Sequence, residues 1–83
     1  MNTLKIHSVK ELVINNSELN APQALQLVMS VSNIDPSAYG QYENFLKDLK
    51  LTVGTSIERI CHRKPTEDEV DNLVEICKLL FTY

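Results

Sequence analysis

The longest regular hydrophobic pattern in the sequence lies between Tyr42 and Arg63. Apolar residues recur there at steps of three and four, the spacing of one helical face held for about six turns. The face comprises Tyr42, Leu46, Leu49, Val53, Ile57 and Ile60, with Phe45 and Cys61 widening it. Because the pattern keeps its phase through Gly54, it predicts one long helix. Glycine inside a helix costs about 1 kcal/mol relative to alanine, so we expect Gly54 to permit a close approach by another helix.

The residues after Pro65 carry the clearest local signal for a helix start. Thr66 fits an N-cap, Glu69 fits the capping-box position three residues later, and acidic side chains fill the first turn, where they complement the helix dipole. Apolar residues then follow at helical spacing: Val70, Leu73, Val74, Cys77, Leu80 and Phe81. This pattern predicts a final helix that begins next to Thr66.

The short connection around Pro65 predicts that the last two helices form an antiparallel hairpin. Proline disfavours helical geometry in the residue before it, so the long helix should end there. A turn centred near Pro65 pairs Ile60 with Val70. The same register places Gly54 opposite Cys77, and we therefore expect the close approach at that level.

A first helix is predicted near the start of the chain. Ser8 and Glu11 have the spacing of a capping box, and Val9, Leu12 and Val13 then form the buried face. The residues before Ser8 alternate between apolar and polar types, which fits either a short extended arm or a frayed helical turn.

A second helix is predicted from Asn20 to about Asn33, because Asn20 is a good N-cap and Gln23 fits the capping-box position. Apolar residues cover most of its circumference, which favours a central place in a bundle over contact with a second body. Asp35 and Pro36 then give another helix start signal. Gly40 is a candidate kink or break before the long helix.

Composition points to one small domain. The chain has 83 residues, 43% of them hydrophobic, and a net charge of -3. An acidic balance does not suit a protein whose main partner is nucleic acid, nor a polybasic membrane anchor. No signal peptide, lipidation motif or apolar run of membrane-spanning length is present. We therefore expect a single cytoplasmic domain, residues 1–83, without membrane insertion.

Candidate chemistry is sparse. The predicted hairpin puts Cys61 and Cys77 about 12 Å apart along the helices, too far for a disulfide. Cys61 and His62 are adjacent and so point in different directions, and no pair of ligands has zinc-site spacing. The carboxylates after Thr66 lie on an exposed first turn, whereas general acid catalysis usually needs burial. These features predict neither an enzyme nor a cofactor or metal site.

DNA binding is the main alternative to protein binding. A basic group, Arg59, His62, Arg63 and Lys64, ends the long helix, but the acidic start of the final helix lies next to it. A helix-turn-helix drawn through Asp35 and Pro36 has a recognition helix without the Arg, Lys or Asn side chains that usually read bases. The sequence therefore favours a protein partner.

Surplus apolar residues near the end of the chain predict where a partner binds. Ile76, Leu79 and Tyr83 form a second stripe on the last helix, and Leu51 lies off the main face of the long helix. The final residues, which include Phe81, are unusually apolar for the end of a chain. This surface is either covered by the first helix and the residues before it or exposed for docking. The docking interpretation makes these five residues the candidate site, for another protein or for a second copy of the chain.

In length, mild acidity and helical pattern over the whole chain, the sequence resembles small phage-encoded regulatory proteins, in particular the RIII lysis-inhibition accessory proteins of T-even phages. The resemblance implies a cytosolic factor that binds the cytosolic segment of a holin and delays lysis. It carries over no binding residue. Phage inhibitors of host proteins and bacteriocin immunity proteins share the same general character. The sequence thus predicts an all-α bundle of about four helices that acts by binding a protein.

Overall fold

The computed structural model describes residues 3–82, which form four α-helices and two short 3-10 helices. The α-helices are α1 (Thr3–Asn16), α2 (Ala21–Ser32), α3 (Tyr42–Cys61) and α4 (Glu67–Cys77). The first 3-10 helix, Pro36–Ala38, precedes α3, and the second, Lys78–Phe81, follows α4 directly. No strand occurs in this part of the chain. The predicted all-α fold is confirmed.

The four helices close into a ring around one hydrophobic core. Helix α2 packs against α1 and α3, and α4 packs against α3 and α1. Helix α2 does not have the predicted central position, because each of the four helices has two helical neighbours, and Leu25 and Met29 on the outer side of α2 remain exposed. The largest fully buried side chains come from every helix: Val9, Val13, Leu27, Val28, Val31, Leu49, Val53, Ile57, Leu73 and Cys77.

Helix α1 begins earlier than predicted. It starts at Thr3, so Ser8 lies inside the helix and the predicted capping box is wrong. The added turn brings Ile6 onto the core beside Val9, and this packing favours continuing the helix over stopping it at a local cap. Leu12 was expected to be buried but is exposed. It lies about 100° around the helix from the buried Val13.

The caps predicted for α2 and α4 are present, with one change. Asn20 and Gln23 exchange both hydrogen bonds of a capping box, at 3.0 and 3.1 Å. The Thr66 hydroxyl likewise accepts the Glu69 amide at 3.1 Å. The Glu69 carboxylate, however, does not complete a box. It accepts two hydrogen bonds of 2.7 Å from the guanidinium of Arg63, which fixes the α3–α4 connection to the start of α4.

Helix α3 is bounded by two backbone breaks. Gly40 lies between the first 3-10 helix and α3, so the chain breaks there and does not merely kink. At the other end, His62 adopts the left-handed conformation with φ of 55° and ends the helix after Cys61, before the predicted stop. Its amide still donates to the Glu58 carbonyl at 2.9 Å. Tyr42 was expected on the buried face but is 63% exposed.

Helices α3 and α4 are antiparallel, but their register differs from the prediction. A Cβ built on Gly54 meets the Val70 side chain at 3.9 Å, an ordinary van der Waals distance. Val70 therefore lies opposite Gly54, in place of the predicted Cys77, and Ile60 does not pair with it. The connection spans residues 62–66 and begins with the left-handed His62, which moves the turn away from Pro65. Gly54 is not needed for a close helix approach.

Candidate functional site

The structure separates Leu51 from the other residues predicted to bind a partner. Leu51 is 63% exposed. Leu49 and Val53, two residues to either side, are completely buried, and two helical residues correspond to about 200° of rotation. Leu51 therefore points away from the core, on the outer side of α3. An isolated exposed leucine is common on protein surfaces and carries no functional argument.

Helix α1 partly covers the stripe formed by Ile76 and Leu79. The Asn72 side-chain amide donates to the Asn16 carbonyl at 3.0 Å, which fixes the register of the antiparallel α1 and α4. One turn further on, this register places Leu12 level with Ile76. Ile76 is half-buried against the core, whereas Leu79 remains 42% exposed. Ile76 therefore belongs to the edge of the core, whereas Leu79 lies on the surface.

Phe81 occupies a different position from Ile76 and Leu79. It lies in the second 3-10 helix, and its ring centroid is 5.1 Å from that of Phe45, edge to face. Phe45, near the start of α3, is almost completely buried. Tyr83, the remaining predicted residue, lies outside the described residues. The chain has five aromatic residues, and the contact between Phe45 and Phe81 joins two of them across the bundle.

Four of the five aromatic residues line one open pocket at this end of the bundle. The ring centroids of Tyr39 and Tyr42 each lie 5.9 Å from that of Phe45, which forms the floor. The pocket has a volume of about 310 Å³ and is lined by Pro36, Tyr39, Gln41, Tyr42, Phe45 and Phe81. Its walls come from three separate segments: the first 3-10 helix, the start of α3 and the second 3-10 helix.

Acidic side chains lie on one side of the aromatic pocket. The Tyr39 hydroxyl donates a hydrogen bond to the carboxylate of Asp48. This hydrogen bond, together with the nearby negative charge of Asp35, raises the pKa of Tyr39 above its usual value. On the Tyr42 side, the ammonium group of Lys78 interacts with the Tyr42 phenol and is held by Glu75 at 2.7 Å. The charge of Lys78 is therefore locally balanced, whereas Asp35 and Asp48 leave the Tyr39 side negative.

The residues considered for chemistry have structural partners. Cys61 and Cys77 are free thiols, and burial raises the pKa of Cys77 to about 12. Arg59 donates to the Ser30 hydroxyl at 3.0 Å, and Arg63 is paired with Glu69, whose pKa it lowers. Within residues 3–82, no group of three His, Cys, Asp or Glu side chains is arranged to hold a metal ion.

The basic group at the end of α3 is not one free cationic surface. Two of its members, Arg59 and Arg63, are engaged by α2 and α4 respectively. A second pocket, of about 410 Å³, adjoins this region and includes Arg63, Asp68 and Glu69. The carboxylates there offset the positive charge. Nothing in this geometry favours binding of nucleic-acid phosphates.

The aromatic pocket was not identified from the sequence, although part of its signal is present. Tyr39, Tyr42 and Phe45 follow one another at steps of three after Pro36. The helical stripe, however, predicts that Tyr42 and Phe45 are core positions. The contribution of Phe81 depends on the register between α3 and α4, which the sequence pattern does not determine.

None of the helices in residues 3–82 is both long enough and apolar enough to cross a membrane.

Comparison with known proteins identifies no relative of this chain. No family model matches the sequence, and no curated protein or solved structure is significantly similar to it.

Proposed function

We propose that this chain is a small regulatory protein that acts in the cytoplasm by binding another protein, without catalysis of its own. The aromatic pocket is the observation that carries this proposal. A domain of this size has few aromatic residues, and four of its five are placed around one opening rather than dispersed through the core. Aromatic side chains supply large contact areas in protein interfaces, and their hydroxyl groups can face water at the rim.

Exposed apolar residues outside the pocket support the same function. Leu79 belongs to the segment that supplies Phe81 to the pocket and is 42% exposed. Leu12 is also exposed and lies one helix away, level with Ile76. A partner seated in the pocket has further apolar surface within reach along the seam between α1 and α4.

The partner proposed from the resemblance is the cytosolic segment of a phage holin, whose binding delays lysis. Charge supports a partner of this kind. Cytosolic segments next to membrane spans are enriched in Lys and Arg, and this chain carries a net charge of -3. Opposite net charges favour the encounter of the two proteins and make its rate sensitive to salt.

A binding measurement tests this proposal directly. The probe is a fluorescently labelled synthetic peptide that reproduces the cytosolic segment of a T-even phage holin, and the signal is its anisotropy during titration with the purified protein. We expect saturable binding that weakens as salt is added. Co-expression of the chain with the intact holin is expected to delay lysis of the culture.

Two controls separate the alternatives. Leu79→Ser removes exposed apolar surface from the segment that supplies Phe81 without changing the net charge, and we expect it to weaken binding without unfolding the protein, as followed by circular dichroism. Titration of a DNA duplex tests the alternative function, for which steeply salt-dependent binding is expected. A holin peptide that does not bind, together with unchanged lysis timing, contradicts the holin as partner. Duplex binding contradicts the protein-binding proposal itself.

A further inference from the structure

We propose that the aromatic pocket receives one apolar side chain of a partner protein, and that the residues next to that side chain in the partner are Lys or Arg. This inference rests on the proposed function and specifies the chemistry of the segment that is bound. It applies to any partner protein, whether or not that partner is a holin.

The shape of the pocket limits what it can hold. Its volume of about 310 Å³ lies at the lower end of the ~300–1,000 Å³ that is typical of small-molecule sites. It is open to solvent on one side, and Tyr42, which forms a wall, is 63% exposed. Because the pocket is small and open, it suits a side chain presented from outside better than a ligand that has to be enclosed. A single Leu, Met or Phe side chain reaches Phe45 on the floor while its own backbone stays outside.

The arrangement of the rings suits such an anchor. Phe81 stands edge to face on Phe45, with an angle of 85° between the ring planes. Tyr39 and Tyr42 flank the floor at equal centroid distances of 5.9 Å. An inserted apolar group therefore meets ring faces and edges on several sides, and aromatic pairs in these geometries are favourable beyond the area that they bury.

The charge near the pocket determines which residues of the partner can flank the inserted apolar side chain. Asp48 accepts a hydrogen bond from the Tyr39 hydroxyl, and Asp35 accepts the Ser37 amide at 3.0 Å and hydroxyl at 2.7 Å. Neither carboxylate has a cationic partner among the ion pairs of residues 3–82. A Lys or Arg beside the anchor supplies the missing positive charge and is also attracted to the exposed ring face of Tyr42.

Lys78 does not reverse this preference. It lies on the Tyr42 side, where its ammonium group is held by Glu75 at 2.7 Å, with the Tyr42 phenol nearby. The pair has no net charge. An acidic peptide therefore meets no cationic side chain among the residues that line the pocket and encounters the repulsion of Asp35 and Asp48.

The experiment uses three short synthetic peptides that differ only at chosen positions. The basic probe has one central Phe between Lys and Arg residues. The second peptide replaces Phe by Ala, and the third replaces the basic residues by Glu. Binding is followed by the aromatic carbon–proton NMR signals of the full chain. We expect the basic probe to shift the signals of Tyr39, Tyr42, Phe45 and Phe81, and to bind at least about tenfold more tightly than either other peptide, a difference of about 1.4 kcal/mol.

A matched pair of variants locates the site. Tyr42 and Leu51 lie in α3 and are both 63% exposed, but only Tyr42 lines the pocket. We expect Tyr42→Ala to lower the affinity for the basic probe about tenfold, or 1.4 kcal/mol. Leu51→Ala should leave that affinity unchanged. Asp48→Asn keeps a hydrogen-bond acceptor for Tyr39 and removes the charge. This variant should bind the basic probe more weakly, and its binding should depend less on salt.

Several outcomes overturn this assignment. The first is that the basic probe does not shift the aromatic NMR signals. The second is that the acidic peptide binds with the same affinity. The third is that the Tyr42 and Leu51 variants lose the same amount of affinity for the basic probe. A dimer that Tyr42→Ala dissociates in sedimentation analysis makes a second copy the occupant instead. If the holin peptide binds wild type and Tyr42→Ala equally, the pocket assignment fails and the protein-binding function stands. If the basic probe binds and the holin peptide does not, the holin partner fails and the pocket assignment stands.

Discussion

Replacement of Gly54 by alanine should stabilise this protein. Gly54 lies in the interior of α3, where alanine is favoured over glycine by about 1 kcal/mol. The backbone there does not have a positive φ, so alanine adopts the native conformation without strain. The added methyl group meets the Val70 Cγ2 at 3.9 Å and nothing closer, so no neighbour has to move.

The effect is measurable in a domain of this size. A gain of 1 kcal/mol corresponds to a rise of about 4–8 °C in the unfolding midpoint of a small domain. Thermal and urea unfolding, followed by circular dichroism, provide the free energies. Part of the gain comes from the smaller conformational freedom of the unfolded chain, which alanine reduces at any compatible glycine.

Gly40→Ala separates these two contributions. Gly40 lies outside the helices, its φ is also not positive, and a Cβ there meets no atom within 4 Å. The Gly40 variant therefore reports only the effect on the unfolded chain, and we expect it to gain less than the Gly54 variant. A lower midpoint for Gly54→Ala would refute this reasoning, because it would mean that α3 and α4 approach more closely at Gly54 than 3.9 Å to Val70 implies.

Three further predictions follow from burial and charge. Leu49→Ala should cost about 2–5 kcal/mol in urea unfolding because Leu49 is completely buried, whereas Leu51→Ala should leave stability nearly unchanged. Glu69→Gln should cost about 1 kcal/mol at neutral pH. The arginine that it pairs with lowers the pKa of Glu69 below the ordinary 4.5, so the contribution is complete above pH 4.5 and is lost as the pH falls through the lowered folded-state pKa. Wild type and variant should then converge in acid; a constant difference contradicts the ion pair. Cys61 should react with a thiol reagent in the native protein, and Cys77, fully buried, only after unfolding.

The sequence correctly predicted features that depend only on neighbouring residues, such as two of the helix caps. Asn20 and Thr66 cap their helices because a side-chain acceptor next to a helical pattern satisfies free amides without help from the rest of the fold. The same kind of signal at Ser8 was misleading. There, packing of Ile6 against the core extends α1 through the candidate cap, and a local rule contains no information about such a contact.

The register of α3 and α4 and the aromatic pocket depend on non-local structure. The register follows from the left-handed His62, a conformation that sequence rules assign chiefly to glycine and asparagine. The pocket then follows from the register, since Phe81 reaches Phe45 only through the position of α4. Of the described residues that were predicted to bind a partner, only Phe81 lines the pocket, whereas Leu51, Ile76 and Leu79 do not.

The 3-10 geometry of Lys78–Phe81 has a consequence for motion in the pocket. Short 3-10 segments have poorer hydrogen-bond geometry than α-helices, and segments with few protected amides open locally at lower free energy than the whole protein unfolds. This segment supplies the Phe81 wall and the buried Leu80, so its local opening would remove one wall of the pocket. A bound partner must hold the segment closed. Amide hydrogen exchange there should therefore slow in proportion to occupancy, even where exchange in the helices does not change.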